Sequence, residues 1–463
     1  MLTLMLSAAV AQDAPDAEAT DEAAEGEAEA VEEAPPPVVT KGHYTATLDN
    51  GLRVSVLSDP DHKVVATQIW VAVGSAHEAQ AELGFAHLFE HLMFGATEHH
   101  DKEAYSRLHT VNGGRENAYT MFDNTVYLSE IAPEHHDAVL ALEADRFSSL
   151  LIDQDNLDNE KKIVTEELRI STENDPFSRV AMRGLAGLFG DHPYAHSPAG
   201  TKEDIAGADL DLVRKFYDGY YRPKNLHVVV VGPVHGPTTL ATIEAEFGGL
   251  SGEAASPPEV PLFSGWDFPD ERVVLKEDIP PIKLAAQIYP LPAPSEDGYW
   301  ASALLMQMIV GGEVDLFREQ LVEKQGKAVE ALTFHEELEV GAVAGFASIS
   351  LPFRGQKKAF KLLSGSRDEL GKLEWVTEER LQTAKRQLLQ EELKRVGYAD
   401  RQADAIGLYA DWWGDEQLAL GGAAEAIEAV TADEVRAAWA AHIAGAQPVE
   451  IFIAKGKPAE EAK

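Results

Sequence analysis

Apolar and polar residues alternate along 44–57 in two runs that flank Asn50-Gly51, a pattern that predicts a β-hairpin. A third run at 64–73 predicts the next strand. Helical spacing follows near 84–95, where Leu88, Phe89 and Leu92 form an apolar face. Gly113-Gly114 marks a turn, and renewed alternation over 119–131 predicts one strand. Helices are expected over 134–149, 156–173, 179–189 and 209–220, the last leading into a buried strand that contains His227-Val-Val-Val-Val231. Residues 248–262, rich in Gly, Ser and Pro, read as a linker.

Beyond the linker the pattern returns in worn form. Ile205-Ala-Gly-Ala-Asp209-Leu-Asp-Leu-Val213, ahead of a Val-rich strand, is echoed by Val430-Thr-Ala-Asp433-Glu-Val435 ahead of Val449-Glu-Ile-Phe-Ile453. The expected fold is therefore α+β, with two homologous domains, each a mostly antiparallel sheet packed with helices, at 41–247 and 263–456. Flanking them are a signal-like segment 1–11, an acidic spacer 12–40 and a tail 457–463.

One stretch of the predicted helix carries chemistry: Gly84-Phe-Ala-His87-Leu-Phe-Glu90-His91-Leu-Met-Phe-Gly95. Side chains at i and i+4 share a helix face, so His87 and His91 are placed to hold one metal ion, with Glu90 beside them. The order H-x-x-E-H inverts the familiar H-E-x-x-H, with the same parts: two imidazole ligands and a carboxylate to take a proton from water. A third ligand must come from elsewhere. Asn159-Glu160-Lys-Lys-Ile-Val-Thr-Glu166-Glu167-Leu168-Arg169 reads as a helix capped by Asp153 or Asp155, with Ile163, Val164, Leu168 and Ile170 on its apolar side. Glu160 and Glu167 fall on one face of it, one to ligate and one to support, and spacing alone does not choose between Glu166 and Glu167. The adjacent pairs His99-His100 and His135-His136 diverge on a helix and read as solvated surface. His109, His192 and His196 read as hydrogen-bonding core or loop residues, and Trp412-Trp413 as core packing.

The pairing of His-Leu-Phe-Glu-His with a downstream Glu-x6-Glu-Leu resembles the pitrilysin and mitochondrial processing peptidase family of zinc peptidases. Further matches are Gly113-Gly114-x-x-Asn117-Ala118-x-Thr120-x-x-Asp123-x-Thr125-x-Tyr127, His192-Pro193-Tyr194 with Gly200, and Tyr221-Arg-Pro-Lys-Asn225-Leu. The resemblance implies one Zn2+ per chain, held by His87, His91 and Glu167, with Glu90 as base and Glu160 as supporting carboxylate. It also implies a substrate-binding sheet edge at Asn117 and Ala118. The implied activity is endopeptidase cleavage of extended or unfolded peptides by a zinc-bound water that Glu90 activates, in domain 41–247, with 263–456 as the metal-free copy. The alternatives are a non-catalytic peptide-binding or assembly subunit of the same fold, and a zinc hydrolase of small molecules. The family's second half carries an Arg and a Tyr seven residues apart. Here Val322 and Val329 stand at those places, with Arg318 one turn earlier. The resemblance thus implies a partner, a metal-free homologous subunit that supplies the missing pair.

Composition narrows this further. The net charge of −39, of which residues 13–33 supply ten carboxylates and no base, excludes nucleic acid as a partner. The absence of cysteine excludes disulfides, thiol nucleophiles and lipid-modified cysteine anchors. No run has the ~18–20 apolar residues of a membrane span. Met1 to Gln12 is apolar and ends in Ala9-Val-Ala11, like the back half of a secretory signal without its basic start, so export to the periplasm or beyond is expected, with extra coding residues before Met1.

Overall fold

Gly51, at a φ of 91°, helps close the hairpin between β1 (Gly42–Thr47) and β2 (Arg53–Ser58). The computed structural model describes residues 39–173, 176–311, 315–351 and 355–457. The expected signal-like segment, the spacer up to residue 38 and the tail beyond 457 lie outside the described residues. β3 (Val65–Val71), β4 (Arg115–Thr120), β5 (Thr125–Ile131) and β6 (Leu226–Gly232) complete a six-stranded sheet in the order β1-β2-β6-β3-β5-β4. β6 runs parallel to β2 and antiparallel to β3. It is buried throughout because both faces of the sheet are covered: Val228 and Val230 pack into one core, Val229 and Val231 into another.

The alternation at 119–131 predicts one strand, but the chain turns over at 121–124. The Met121 N–H bonds to the Asn124 carbonyl, Phe122 is buried, and both oxygens of Asp123 accept from the Tyr194 hydroxyl at 2.5 and 2.6 Å. Met121 and Phe122 keep the apolar rhythm running through a bend that Asp123 and Asn124 make, which hides the bend from a count of periods. β4 and β5 are therefore a hairpin, with β4 outermost in the sheet.

The second sheet contains β7 (Val273–Glu277), β8 (Lys283–Leu291), β9 (Glu330–Leu338), β10 (Gly341–Ser350) and β11 (Val449–Lys455), ordered β7-β11-β8-β10-β9. With β1 set aside, the two orders match strand for strand, and the one parallel pair, β2·β6 or β7·β11, recurs at the same place. The helix after β3, Phe85–Leu92, starts at Gly84 with a φ of 83°, and the helix after β8, Tyr299–Val310, starts at Gly298 with a φ of 86°. The fold is thus a two-domain α+β architecture built twice from one plan.

Each sheet is covered on one face by a helix from the other half of the chain. Pro176–Phe189 lays Val180, Leu185 and Leu188 against Leu275, Ile451 and Ile453 of the second sheet. Ala399–Trp412 lays Ala403 and Ile406 against Ala66, Trp70 and Val229 of the first. Tyr119 bonds to Asp404, and the Gln68 amide donates to the Asp400 carbonyl at 3.0 Å, so the same seam is polar at its edges. Trp413, just past this helix, stacks on Trp300, and both Trp412 and Trp413 are half-buried.

His109 and His192 are buried and bonded, to Ser129 Oγ at 2.6 Å and to the Pro261 carbonyl at 2.9 Å. His99 is exposed beside Asp145. His136 departs from the expected solvated pair. It opens the helix His136–Ser149 facing β3, is buried, and bonds Thr67 Oγ1 at 2.9 Å.

Candidate metal centre

Phe85, Leu88, Phe89 and Leu92 bury one side of the helix Phe85–Leu92 in the core, which turns His87, Glu90 and His91 to its other side. Its N-terminus is held tightly. A side chain at Gly84 would meet Ile205 Cδ1 at 2.9 Å, and Glu78 accepts the N–H groups of Gly84 and Ala86 at 2.7 Å each. Burial pushes the Glu78 carboxyl well up, against the pull of those two bonds. A carboxylate on the first turn also suits the helix dipole. Sequence reasoning missed Glu78, whose only signal was an acid ahead of a glycine-started helix.

The rings of His87 and His91 stand 4.9 Å apart at 81°. Glu167 Oε2 lies 3.7 Å from His87 Nε2 and 3.3 Å from His91 Nε2. One ligating atom from each of the three residues falls within 4.8 Å of the others. Nε2 of His87 is buried and has no hydrogen-bond partner among the described residues, a costly state for an imidazole nitrogen unless something binds it. Two imidazoles and one carboxylate make a donor set that fits catalytic zinc.

The far nitrogen of each ring faces a carboxylate. His87 Nδ1 lies 3.2 Å from Glu90 Oε2, and His91 Nδ1 lies 3.9 Å from Glu160 Oε2. A proton held on Nδ1 leaves Nε2 as the free lone pair, and Glu90, at hydrogen-bond distance from His87, favours the tautomer that a metal needs. Glu90 also accepts from the Thr120 hydroxyl at 2.6 Å, and Glu160 pairs with Lys102 at 2.9 Å. Thr120 entered the sequence reading only as a position in a matched motif, without a role, and Lys102 did not enter it, because only the fold brings them there.

Burial works to neutralise this cluster, and the partners win. His87 is pulled down by burial, yet the neighbouring Glu167 and Glu90 carboxylates push it up to about 10. Burial raises Glu167 and Glu90, yet the histidines, with Thr120 for Glu90, hold both below the usual carboxylate range. The cluster thus holds its acids as anions and draws positive charge, whether from a proton or a metal ion.

Glu167 lies on the helix Gln154–Leu168, capped by Asp153, whose side chain accepts the Asn156 N–H at 2.9 Å. Leu157, Glu160, Val164 and Leu168 are its buried residues. Ile163 and Ile170, expected on the apolar side, are 44% and 53% exposed, because the face turned inward is the one carrying Glu160. Glu166 points away and is bonded to Arg169 at 2.6 and 2.8 Å. Asn117 is exposed and Ala118 buried on β4, which among the described residues pairs only with β5. Val322 packs part-buried on the second core, and Val329 is 54% exposed. Arg318 is bound by Glu323 and Glu330 of its own half at 2.8 Å each. Among the described residues no helix is long and apolar enough to cross a membrane.

Comparison with known proteins points to one family. Residues 53–201 match the family model for insulinase, peptidase family M16, and residues 208–388 match the model for the peptidase M16 inactive domain. The zinc protease PqqE of Helicobacter pylori is 28% identical over 373 residues, 80% of this chain and 83% of that protein. An uncharacterized zinc protease of Bacillus subtilis, YmxG, is 26% identical over 296 residues, 63% of this chain and 70% of that one. Among solved structures, a protease from Helicobacter pylori superposes with a TM-score of 0.78 at 24% identity, covering 89% of this chain and all (100%) of that one. The first half of the periplasmic protease PqqL from Escherichia coli gives 0.71 at 19% identity, covering 91% and 93%.

Proposed function

Since this chain belongs to the M16 peptidase family, of insulinase and pitrilysin type, we propose that it is a zinc-dependent endopeptidase acting on extended or unfolded peptides. The observation that carries this reading is the convergence of His87 Nε2, His91 Nε2 and a Glu167 oxygen, with the Glu90 carboxylate beside them. These three residues hold one zinc per chain. Zinc supplies there a Lewis acid that polarises a peptide carbonyl and makes water more acidic. Glu90, kept as a carboxylate by His87 and Thr120, takes the proton of the attacking water and returns it to the leaving amine. Glu160 orients the His91 ring, and Lys102 holds Glu160 in place. The free edge of β4, at Asn117 and Ala118, offers backbone groups to a peptide that adds as a further strand, which selects extended chains over folded ones.

Two apolar valines, Val322 and Val329, cannot donate to a substrate carbonyl, so a metal-free homologous subunit supplies the Arg and Tyr that the family places there. The apolar start ending in Ala9-Val-Ala11 supports work outside the cytoplasm, in the periplasm or beyond, as does the periplasmic setting named for the Escherichia coli relative. Glu90→Gln tests the core of the reading. The variant should keep its zinc and its melting temperature while cleavage of an unstructured peptide mixture falls by roughly 10²- to 10⁴-fold. Activity within tenfold of the parent overturns Glu90 as base.

A further inference from the structure

A cavity of about 560 Å3 lies where the two halves meet under the linker. Its walls come from the β4–β5 turn (Asp123, Asn124), the β9–β10 turn (Glu339), β2 (Arg53) and the end of the helix Ala399–Trp412 (Asp411, Trp412). It opens to solvent past Glu259 and Leu262, which are exposed.

The charges on its walls do not balance. Asp123, Glu339 and Asp411 face it from three different elements, against one guanidinium, Arg53, already paired with Asp411. His77, also on the wall, is pushed down to about 4 by burial and adds no charge near neutral pH. Burial pushes the Asp123 and Glu339 carboxyls up, against the Tyr194 hydrogen bond that favours the Asp123 anion, and the neighbouring Asp123 and Asp411 raise Glu339 further.

A second observation is independent of charge. Asn124 is 2% exposed, and its Nδ2 donates to Asp411 at 2.9 Å, which fixes the amide so that Oδ1 is the acceptor left over. Oδ1 has no hydrogen-bond partner among the described residues. A buried acceptor without a donor is costly, so the wall calls for an N–H or O–H from outside.

A bare metal ion does not suit these atoms. Among the described residues only His87, His91 and Glu167 bring three His or acidic ligand atoms within 4.8 Å, so the acids here are too dispersed for one coordination shell. A guanidinium or ammonium carries several N–H donors, reaches acceptors on different elements, and can use the Trp412 ring as a cation–π face. We propose that this cavity binds a cationic group of a peptide, the side chain of Arg or Lys or the N-terminal ammonium. The hairpin that supplies Asp123 and Asn124 also supplies Thr120, which holds Glu90, so the cavity and the metal centre are built on one element. The choice of a peptide as carrier rests on the peptidase reading, whereas the test below needs no turnover.

The test is calorimetric binding to the full-length, zinc-loaded Glu90→Gln chain. The probes are eight-residue Ala/Ser peptides carrying one Arg or one citrulline in its place, each with a free or an acetylated N-terminus. The acetylated citrulline peptide should bind at least roughly tenfold more weakly than the best of the others. Loss of affinity on Arg-to-citrulline exchange assigns the side chain, and loss on acetylation assigns the N-terminus. Glu339→Gln, and independently Asp411→Asn, should cut that advantage below about threefold while the melting transition stays cooperative. Equal affinity for all four peptides overturns the proposal. So does a preference for cationic peptides that survives both variants. Either result leaves the peptidase reading standing, since that is decided by turnover in the parent chain.

Discussion

Glu167 differs from Glu166 by one residue, and on a helix one residue is a turn of about 100°. That turn sends Glu166 to Arg169 at the surface and Glu167 to the imidazoles. Glu167→Gln should therefore lower zinc affinity by at least roughly 10- to 100-fold, the range for residues that merely support a ligand. Glu166→Gln should leave the zinc content after dialysis unchanged, and the reverse result exchanges their roles. The choice was out of reach for spacing alone, since both residues fit the helix. By contrast His87, Glu90 and His91 were legible, because their relation is local and a single helix fixes it. Glu78, Thr120 and Lys102 are contacts of tertiary placement: the matched motif contains Thr120, but nothing in it says that a threonine on β4 will meet a glutamate thirty positions away.

Strand positions were largely readable from alternation, and the duplicated topology was foreshadowed by the echo between 205–232 and 430–453. What alternation cannot report is which layer covers a face. Trp412-Trp413 read as core packing, but the role of the helix Ala399–Trp412 as cover for the other half's sheet depends on Gly407. A Cβ there would lie 2.1 Å from the Trp70 indole, which is 1% exposed and bonded to Gln68 at 2.9 Å. Alanine gains about 1 kcal/mol in helix propensity over glycine, while overpacking a fixed core costs about 1–3 kcal/mol or more. At so short a contact the second term wins, so Gly407→Ala should lower stability in chemical denaturation, and a stabilised variant would show that the seam yields. His136 supplies a second reading at this scale. Burial pushes it down to about 4 in the folded protein, from an ordinary value near 6.5. Above pH 6.5 both folded and unfolded forms are neutral. As pH falls toward 4 the unfolded chain takes up a proton that the folded one refuses, so stability is lost across that window, by on the order of 3 kcal/mol. His136→Gln should flatten the fall of melting temperature between pH 6.5 and 4, and equal slopes for both proteins would refute this.

At the scale of the whole molecule, the proposed incompleteness at Val322 and Val329 makes a direct claim about assembly. The purified chain alone should cleave peptides slowly, and adding its metal-free homologue should raise the rate by roughly a hundredfold, the usual worth of one transition-state hydrogen-bond donor. Full activity from the lone chain would remove the need for a partner. The exchange of helices between the two halves bears on something else, the order of events during synthesis. A chain made from its N-terminus has every strand of the first sheet in hand once Gly232 has emerged. The helix that covers Ala66, Trp70, Val229 and Val231 is encoded near the far end. Until it arrives that face is wet and apolar, prone to stick to other chains and to recruit chaperones. The growing chain therefore has no finished first half to stop at. Each half is completed by a helix that the other half encodes.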